Sequence, residues 1–212
     1  MTGFQVRKGT AVGIHNNRGN GDDFTPERDA AGLVYGKDWS QTVVGSRRIA
    51  ALRELRARAR AARTPEEACL LAADALARHD KDVPFALFYL IEPDGKTAKV
   101  AATVGLPDGD DGVVPVLALD GRSYWRFADV RARHAAVTVD HLSTVMPEVQ
   151  DGGWDDPPHT AVVLPIRAYA ARELSGFLVA GVSPRLRLDE QYQGFLDLVS
   201  TQVSAAIISA QA

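Results

Sequence analysis

The sequence predicts an α+β fold in which a mostly antiparallel sheet is sandwiched between helices and loops. Three observations predict it. The runs Ala161–Ile166 and Gly176–Val182 are continuously apolar, so neither has a wet face, and their short connection makes them antiparallel neighbours. Pro84–Ile91 (PFALFYLI) is a third apolar run, and the turn Glu92-Pro93-Asp94-Gly95 returns it into a partner at Lys96–Val104, giving a hairpin. Helical periodicity brackets these strands on both sides.

The first helix begins near Gln41–Ser46 and runs to about Ala62. Ile49, Leu52, Leu55, Ala59 and Ala62 recur at three- and four-residue spacing, while Arg and Glu fill the other faces. So narrow a stripe suits a coiled-coil seam. The second helix has a strong start: Thr64 as N-cap, Pro65 at the first helical position and Glu67 completing a capping box. Ala68, Leu71, Ala72, Ala75 and Leu76 face a core, and the helix ends near His79–Asp80. After the hairpin, Gly105–Gly121 is a Gly-, Asp- and Pro-rich loop with a short strand at Val113–Leu117. Ser123–His134 is a short aromatic helix, Ala136–Val139 a short strand, and His141–Pro158 an irregular loop containing Trp154. Asp189 caps the last helix, where Tyr192, Phe195, Leu196, Val199, Val203, Ala206 and Ile207 form one stripe over about five turns.

Composition narrows the function. A chain of 212 residues with 46% hydrophobic and 24% charged residues has enough apolar material for a core, so it is globular. A net charge of -3 gives no electrostatic reason to expect nucleic acid or an anionic membrane as partner. The arginines of Arg47–Arg63 are interrupted by Glu54 and lack interleaved aromatics, which reads as a solvated helix face. The single cysteine, Cys69, excludes an internal disulfide and a cysteine-rich metal site, and it fits a reducing cytoplasm. No run approaches the roughly 18 apolar residues of a membrane span. Residues 1–41 are set apart by the Asn-, Gly- and Asp-dense stretch 15–23. They read as a poorly ordered arm or the remnant of a preceding module.

The ordered pieces together resemble a GAF domain, a PAS-related fold, closest to those of bacterial sensor histidine kinases and phosphatase regulators. The resemblance rests on RTPEEAC (63–69), VPFALFYLIEPDG (83–95), KVAATVGLP (99–107), VTVDHL (137–142), the GGW and PP elements of 152–158, AVVLPI (161–166), SGFLVAGVSPRLRLDEQYQGFLDLV (175–199) and SAAI (204–207). It implies one domain over 42–212. In it, a six-stranded antiparallel sheet carries helices on one face and a short helix plus loops on the other. It implies a homodimer through helices 46–62 and 189–210, with Leu52, Val199 and Val203 expected in the seam, and a kinase or phosphatase output domain as partner.

The resemblance also implies a small-molecule site on the loop-covered face. The candidate ligand-binding residues are Phe88, Tyr124, Trp125, Phe127 and Trp154 as aromatic lining, with Asp140, His141 and Ser123 as polar groups. The ligand and any cofactor stay unspecified. The competing reading is that these rings fill the space under a long loop and the domain is a ligand-free dimerisation module.

No enzymatic constellation stands out. Cys69 lacks the neighbouring histidine of bilin-binding GAF domains and the companion cysteines of GAF-type methionine sulfoxide reductases. His15, His79, His134, His141 and His159 show no metal spacing, although some GAF domains bind haem. Asp108–Gly112 lacks the alternating ligands of an EF-hand. No phosphate-binding loop, nucleophile elbow or cyclic-nucleotide Asn-Lys-Phe-Asp-Glu string is present. A non-enzymatic, cytoplasmic sensor is the expected function.

Overall fold

The computed structural model describes residues 37–106, 113–146, 155–170 and 173–212. The arm read into the N-terminal residues lies outside these up to residue 36, as does Trp154. The elements are α1 (Lys37–Ala59), α2 (Pro65–Leu76), β1 (Ala86–Ile91), β2 (Thr97–Val104), β3 (Val116–Ala118), α3 (Phe127–Arg133), β4 (Val137–Asp140), α4 (Leu142–Val145), β5 (Thr160–Arg167), β6 (Leu174–Gly181) and α5 (Glu190–Ala210). The expected order holds. The one addition is α4, a single turn within the segment read as irregular, too short to carry a periodic signal.

All six strands form one antiparallel sheet in the order β3-β2-β1-β6-β5-β4. The three apolar runs β1, β6 and β5 occupy its middle, as a strand buried on both faces must. Alternation assigns their side chains. Phe88, Leu178 and Leu164 sit in register across three strands and face the helices, whereas Leu87, Val179, Val163 and Val137 form the opposite row. Pro165 is tolerated inside β5 because β4 pairs only with residues 160–163, leaving that flank unpaired at Pro165. Gly176 pairs with Leu90 of β1, and a Cβ built on it would lie 2.0 Å from the Tyr89 carbonyl oxygen, so this crossing admits only glycine.

The helix face is covered by α1, α2 and α5. In α2, the Thr64 hydroxyl accepts from the Glu67 N–H (3.1 Å), and the Glu67 carboxylate accepts from the Arg63 N–H (2.7 Å). The capping box thus closes on the residue before the cap. At the start of α5, Asp189 accepts from the Tyr192 N–H (2.9 Å).

The expected seam is corrected here. Ala51, Leu55 and Ala59 are buried in the core against the sheet side of the domain, Leu52 and Ala62 pack against that core, and Ile49 points outward, 52% exposed. Val199 and Val203 are likewise core residues. The stripes that resembled seams are the sides by which α1 and α5 cover the sheet.

A buried charge cluster ties α1 down. Asp82, between α2 and β1, is fully buried and accepts from Arg47 Nη2 (3.0 Å), Arg47 Nε and Arg48 Nε (3.0 Å). The Arg48 guanidinium lies 4.2 Å from the centre of the Tyr192 ring and 5.5 Å from that of Phe195. The Tyr192 hydroxyl donates to the Asp82 carbonyl and accepts from the Ser183 N–H (3.0 Å). One residue therefore joins α1, the approach to β1 and the first turn of α5. Farther along α1, Glu54 accepts from Arg58 (3.1 Å) and Arg78 (2.8 Å) and faces His79 Nε2 at 3.2 Å.

Two outcomes test this frame. Gly176→Ala should lower the unfolding free energy by about 3 kcal/mol or more, since neither strand backbone can yield without breaking the ladder; a loss below ~1 kcal/mol in urea titration would contradict the close approach. Asp82→Ala should cost about 3 kcal/mol, because it strands two guanidinium groups in a partly buried site. Here the reading is the urea midpoint at unchanged slope.

Candidate functional site

The face of the sheet opposite the three long helices carries α3, α4 and the segments flanking them, a lid built on aromatic rings. Phe127, the first residue of α3, stacks on Phe177 of β6 (4.3 Å between ring centres, 7° between planes) and meets Tyr89 of β1 edge-on at 5.2 Å. The Tyr89 hydroxyl reaches past it and donates to the Val114 carbonyl (2.8 Å), pinning the chain that leads into β3. Burial raises the Tyr89 hydroxyl well above its ordinary pKa, with a smaller push from Tyr124, so it stays a neutral donor. Trp125, Val130, Leu142 and Met146 complete the layer, all fully buried.

Both ends of α3 and the start of α4 require unusual backbone. Arg126 before α3, His134 after it and His141 before α4 all adopt the left-handed region, with φ of 56°, 51° and 60°. Each costs on the order of 1 kcal/mol for a residue with a Cβ, and the packed rings between them hold the backbone there.

The sequence-predicted site residues divide. Trp125 and Phe127 lie under the lid, and Tyr124 lies half-buried beside Trp125, ring centres 5.1 Å apart. Ser123 caps this segment by accepting from the Trp125 N–H (3.2 Å). Asp140 and His141 are exposed at the rim, and the Asp140 carboxylate accepts from the Thr160 hydroxyl (2.9 Å). Phe88 is a correction: it packs among α2 and α5 residues on the helix face. Adjacent strand residues point to opposite faces, so Tyr89 occupies the position under the lid that Phe88 was expected to take. Tyr89 and Phe177 were missed. Their parity with Phe85 and Val179 is the signal, but a run apolar on both faces does not say which parity meets which cover.

Among the described residues, Tyr89, Trp125, Phe127, Val130, Leu142, Met146 and Phe177 are all buried under the lid. One polar atom there is unsatisfied. The Trp125 Nε1–H is buried and meets no acceptor with hydrogen-bond geometry. The Tyr124 hydroxyl, raised by burial, feels that N–H as a smaller opposing influence, so the two groups are close without forming a well-aligned bond.

This sheet order, flanked by helices on one side and by an aromatic lid on the other, matches solved structures. The fold is that of a GAF domain. The chain is similar to the GAF domain of a phosphoenolpyruvate-protein phosphotransferase from Coxiella burnetii (18% identity, 78% of this chain and 95% of that chain, TM-score 0.57). It is also similar to the phycocyanobilin-bound GAF domain of a cyanobacterial phytochrome (18%, 77% and 95%, 0.54). A third GAF-like neighbour is an enzyme, the free methionine-R-sulfoxide reductase of Neisseria meningitidis, solved with its substrate (14%, 76% and 88%, 0.55). No protein-family model and no curated protein sequence matches the chain.

Cys69 bears on the enzymatic neighbour. It lies in α2 on the helix face, fully buried, on the opposite side of the sheet from the lid. Burial pushes its thiol up to about 12, and Glu66 adds to the rise. Its stabilising contribution is therefore whole below the ordinary thiol range near 8.5 and falls as pH rises from there towards 12. At pH 8 about one Cys69 in ten thousand would be thiolate in the folded protein. Native protein should thus resist a thiol-reactive disulfide reagent at pH 8, reacting only as fast as it opens, and urea should restore full reactivity. Rapid native labelling would refute the burial.

Proposed function

We propose that this chain is a sensory or regulatory module of GAF fold that works as a homodimer through α1 and α5. The observation that carries the reading is the arrangement of these two helices. Arg48 of α1 lies over Tyr192 and Phe195 near the start of α5, while Arg56, Ala59 and Arg60 share a groove of about 400 Å³ with Ala205, Ala206 and Ser209 near its end. The helices therefore run parallel on one face. Their outer sides keep Val43, Ile49 and Leu198 about half exposed, which is apolar area available to a second copy. Parallel packing puts the N-terminus of α1 and the C-terminus of α5 at opposite ends of one face, which suits transmission, because a change in packing at one end is passed along both helices to the other. A kinase or phosphatase output domain is the partner this reading expects.

A second reading, small-molecule sensing under the lid, is favoured by the buried Trp125 Nε1–H. A ligand oxygen placed there would satisfy a donor that meets no well-aligned acceptor among the described residues. Admission would require α3 to lift Phe127 from Tyr89 and Phe177. Asp140 and His141 at the rim would meet the ligand's polar end. An enzymatic role gains no support from Cys69, whose thiol is neither exposed nor activated.

Sedimentation velocity tests the leading reading. The wild type should sediment as a dimer. Ile49→Asp combined with Leu198→Asp, both at exposed positions, should give monomers with unchanged far-ultraviolet circular dichroism and a dissociation constant at least about tenfold higher. A wild type that stays monomeric at high concentration, or a double variant that stays dimeric, would sink it.

A further inference from the structure

We propose that the cavity beside the Asp82 cluster is a second binding site, for a zwitterionic ligand of the α-amino-acid class, and that its occupancy is coupled to α1. Its lining includes neither the buried lid rings nor the exposed apolar positions of α1 and α5. The cavity measures about 500 Å³, within the range of small-ligand sites. It opens at the end of the sheet where β1 begins and β6 ends, with Pro84 and Ser183 in its wall.

Its charges are arranged in two sets. Arg47, Lys81 and Arg185 supply cations, and Asp80, Asp155 and Asp156 supply anions. Among the described residues, Lys81, Arg185 and all three aspartates lack an ion pair within 4.0 Å, although they line one cavity. Lining groups of both signs left without a close ion pair suit a molecule that carries both signs itself. A simple anion would gain from the cations but be repelled by the three carboxylates, and a simple cation would meet the reverse. An α-carboxylate towards the basic set and an α-ammonium towards the acidic set meet both.

Coupling follows from Arg47. Its guanidinium lines this cavity and also binds Asp82, and its side chain is 28% exposed. Asp82 is shared. If Arg47 turns towards a ligand carboxylate, Arg48 still donates to Oδ1 and keeps its stack on Tyr192. The protein can therefore release one of two arginines without stranding the buried carboxylate, and α1 then loses one of its anchors.

The experiment uses the full chain and a thermal-shift screen of individual α-amino acids. For any responder, the matched amine without the carboxylate and the matched acid without the amine are added. At least one amino acid should raise the melting temperature, and neither half-molecule should match it. Lys81→Ala/Arg185→Ala and Asp155→Asn/Asp156→Asn, all at exposed positions, should each weaken binding at least tenfold, whereas the distant Arg122→Ala should not. Hydrogen exchange of the α1 amides around Arg47 should quicken on binding. No response to any amino acid, an equal response to a half-molecule, or a response unchanged in both double variants would overturn the site. Binding with unaltered α1 exchange would overturn the coupling.

Discussion

A sheet with no wet face is the constraint on which the rest of this structure depends. β1, β5 and β6 present apolar side chains on both sides, so each side must be covered. Three long helices cover one face and a short aromatic lid covers the other. The odd and even residues of these strands are thereby committed to two different environments. A one-residue slip of β1 would exchange Phe88 and Tyr89, placing a phenol among the helices and removing the hydroxyl that holds Val114.

The two covers differ in kind. On the helix side, small residues allow close approach: Ala51, Ala59, Ala68, Ala72 and Ala75 are all nearly or fully buried. Polar groups enter there at the end, where Asp82, Tyr192 and Ser183 satisfy one another, and along α5, where Ser200 donates to the Pro165 carbonyl and Ser204 accepts from the Arg167 N–H. On the lid side, large rings form the layer, and α3 is held between two left-handed residues. A cover made of few, large, mutually stacked groups opens more readily than one made of many small ones, because displacing Phe127 alone undoes two of its contacts.

Most of the architecture was legible in the sequence, and for identifiable reasons. Apolar runs of strand length, a proline–glycine turn and the Thr64 cap are local signals, and local signals survived folding. What was illegible is relational. The stripe on α1 reads as a seam because it is narrow and flanked by arginines, yet Arg47 and Arg48 turn inward to a carboxylate more than thirty residues away, and the stripe follows them onto the sheet. Phe88 was assigned to the lid because a doubly buried strand carries no mark of which side is which. α4 is one turn long, below the reach of periodicity. The site's fine structure depends on the same long-range pairings and so became visible only in three dimensions.

The pairing of Arg47 and Arg48 with one carboxylate also sets a mechanical property of α1. Consecutive helical residues project about 100° apart around the axis. Both can meet Asp82 only if the carboxylate lies between their directions, at one azimuth of the helix. Rotation of α1 in either sense brings one arginine closer and carries the other away, whereas a small axial slide disturbs both alike. The cluster thus fixes the azimuth at which α1 lies on its domain, and it resists a slide of the helix with both arginines at once.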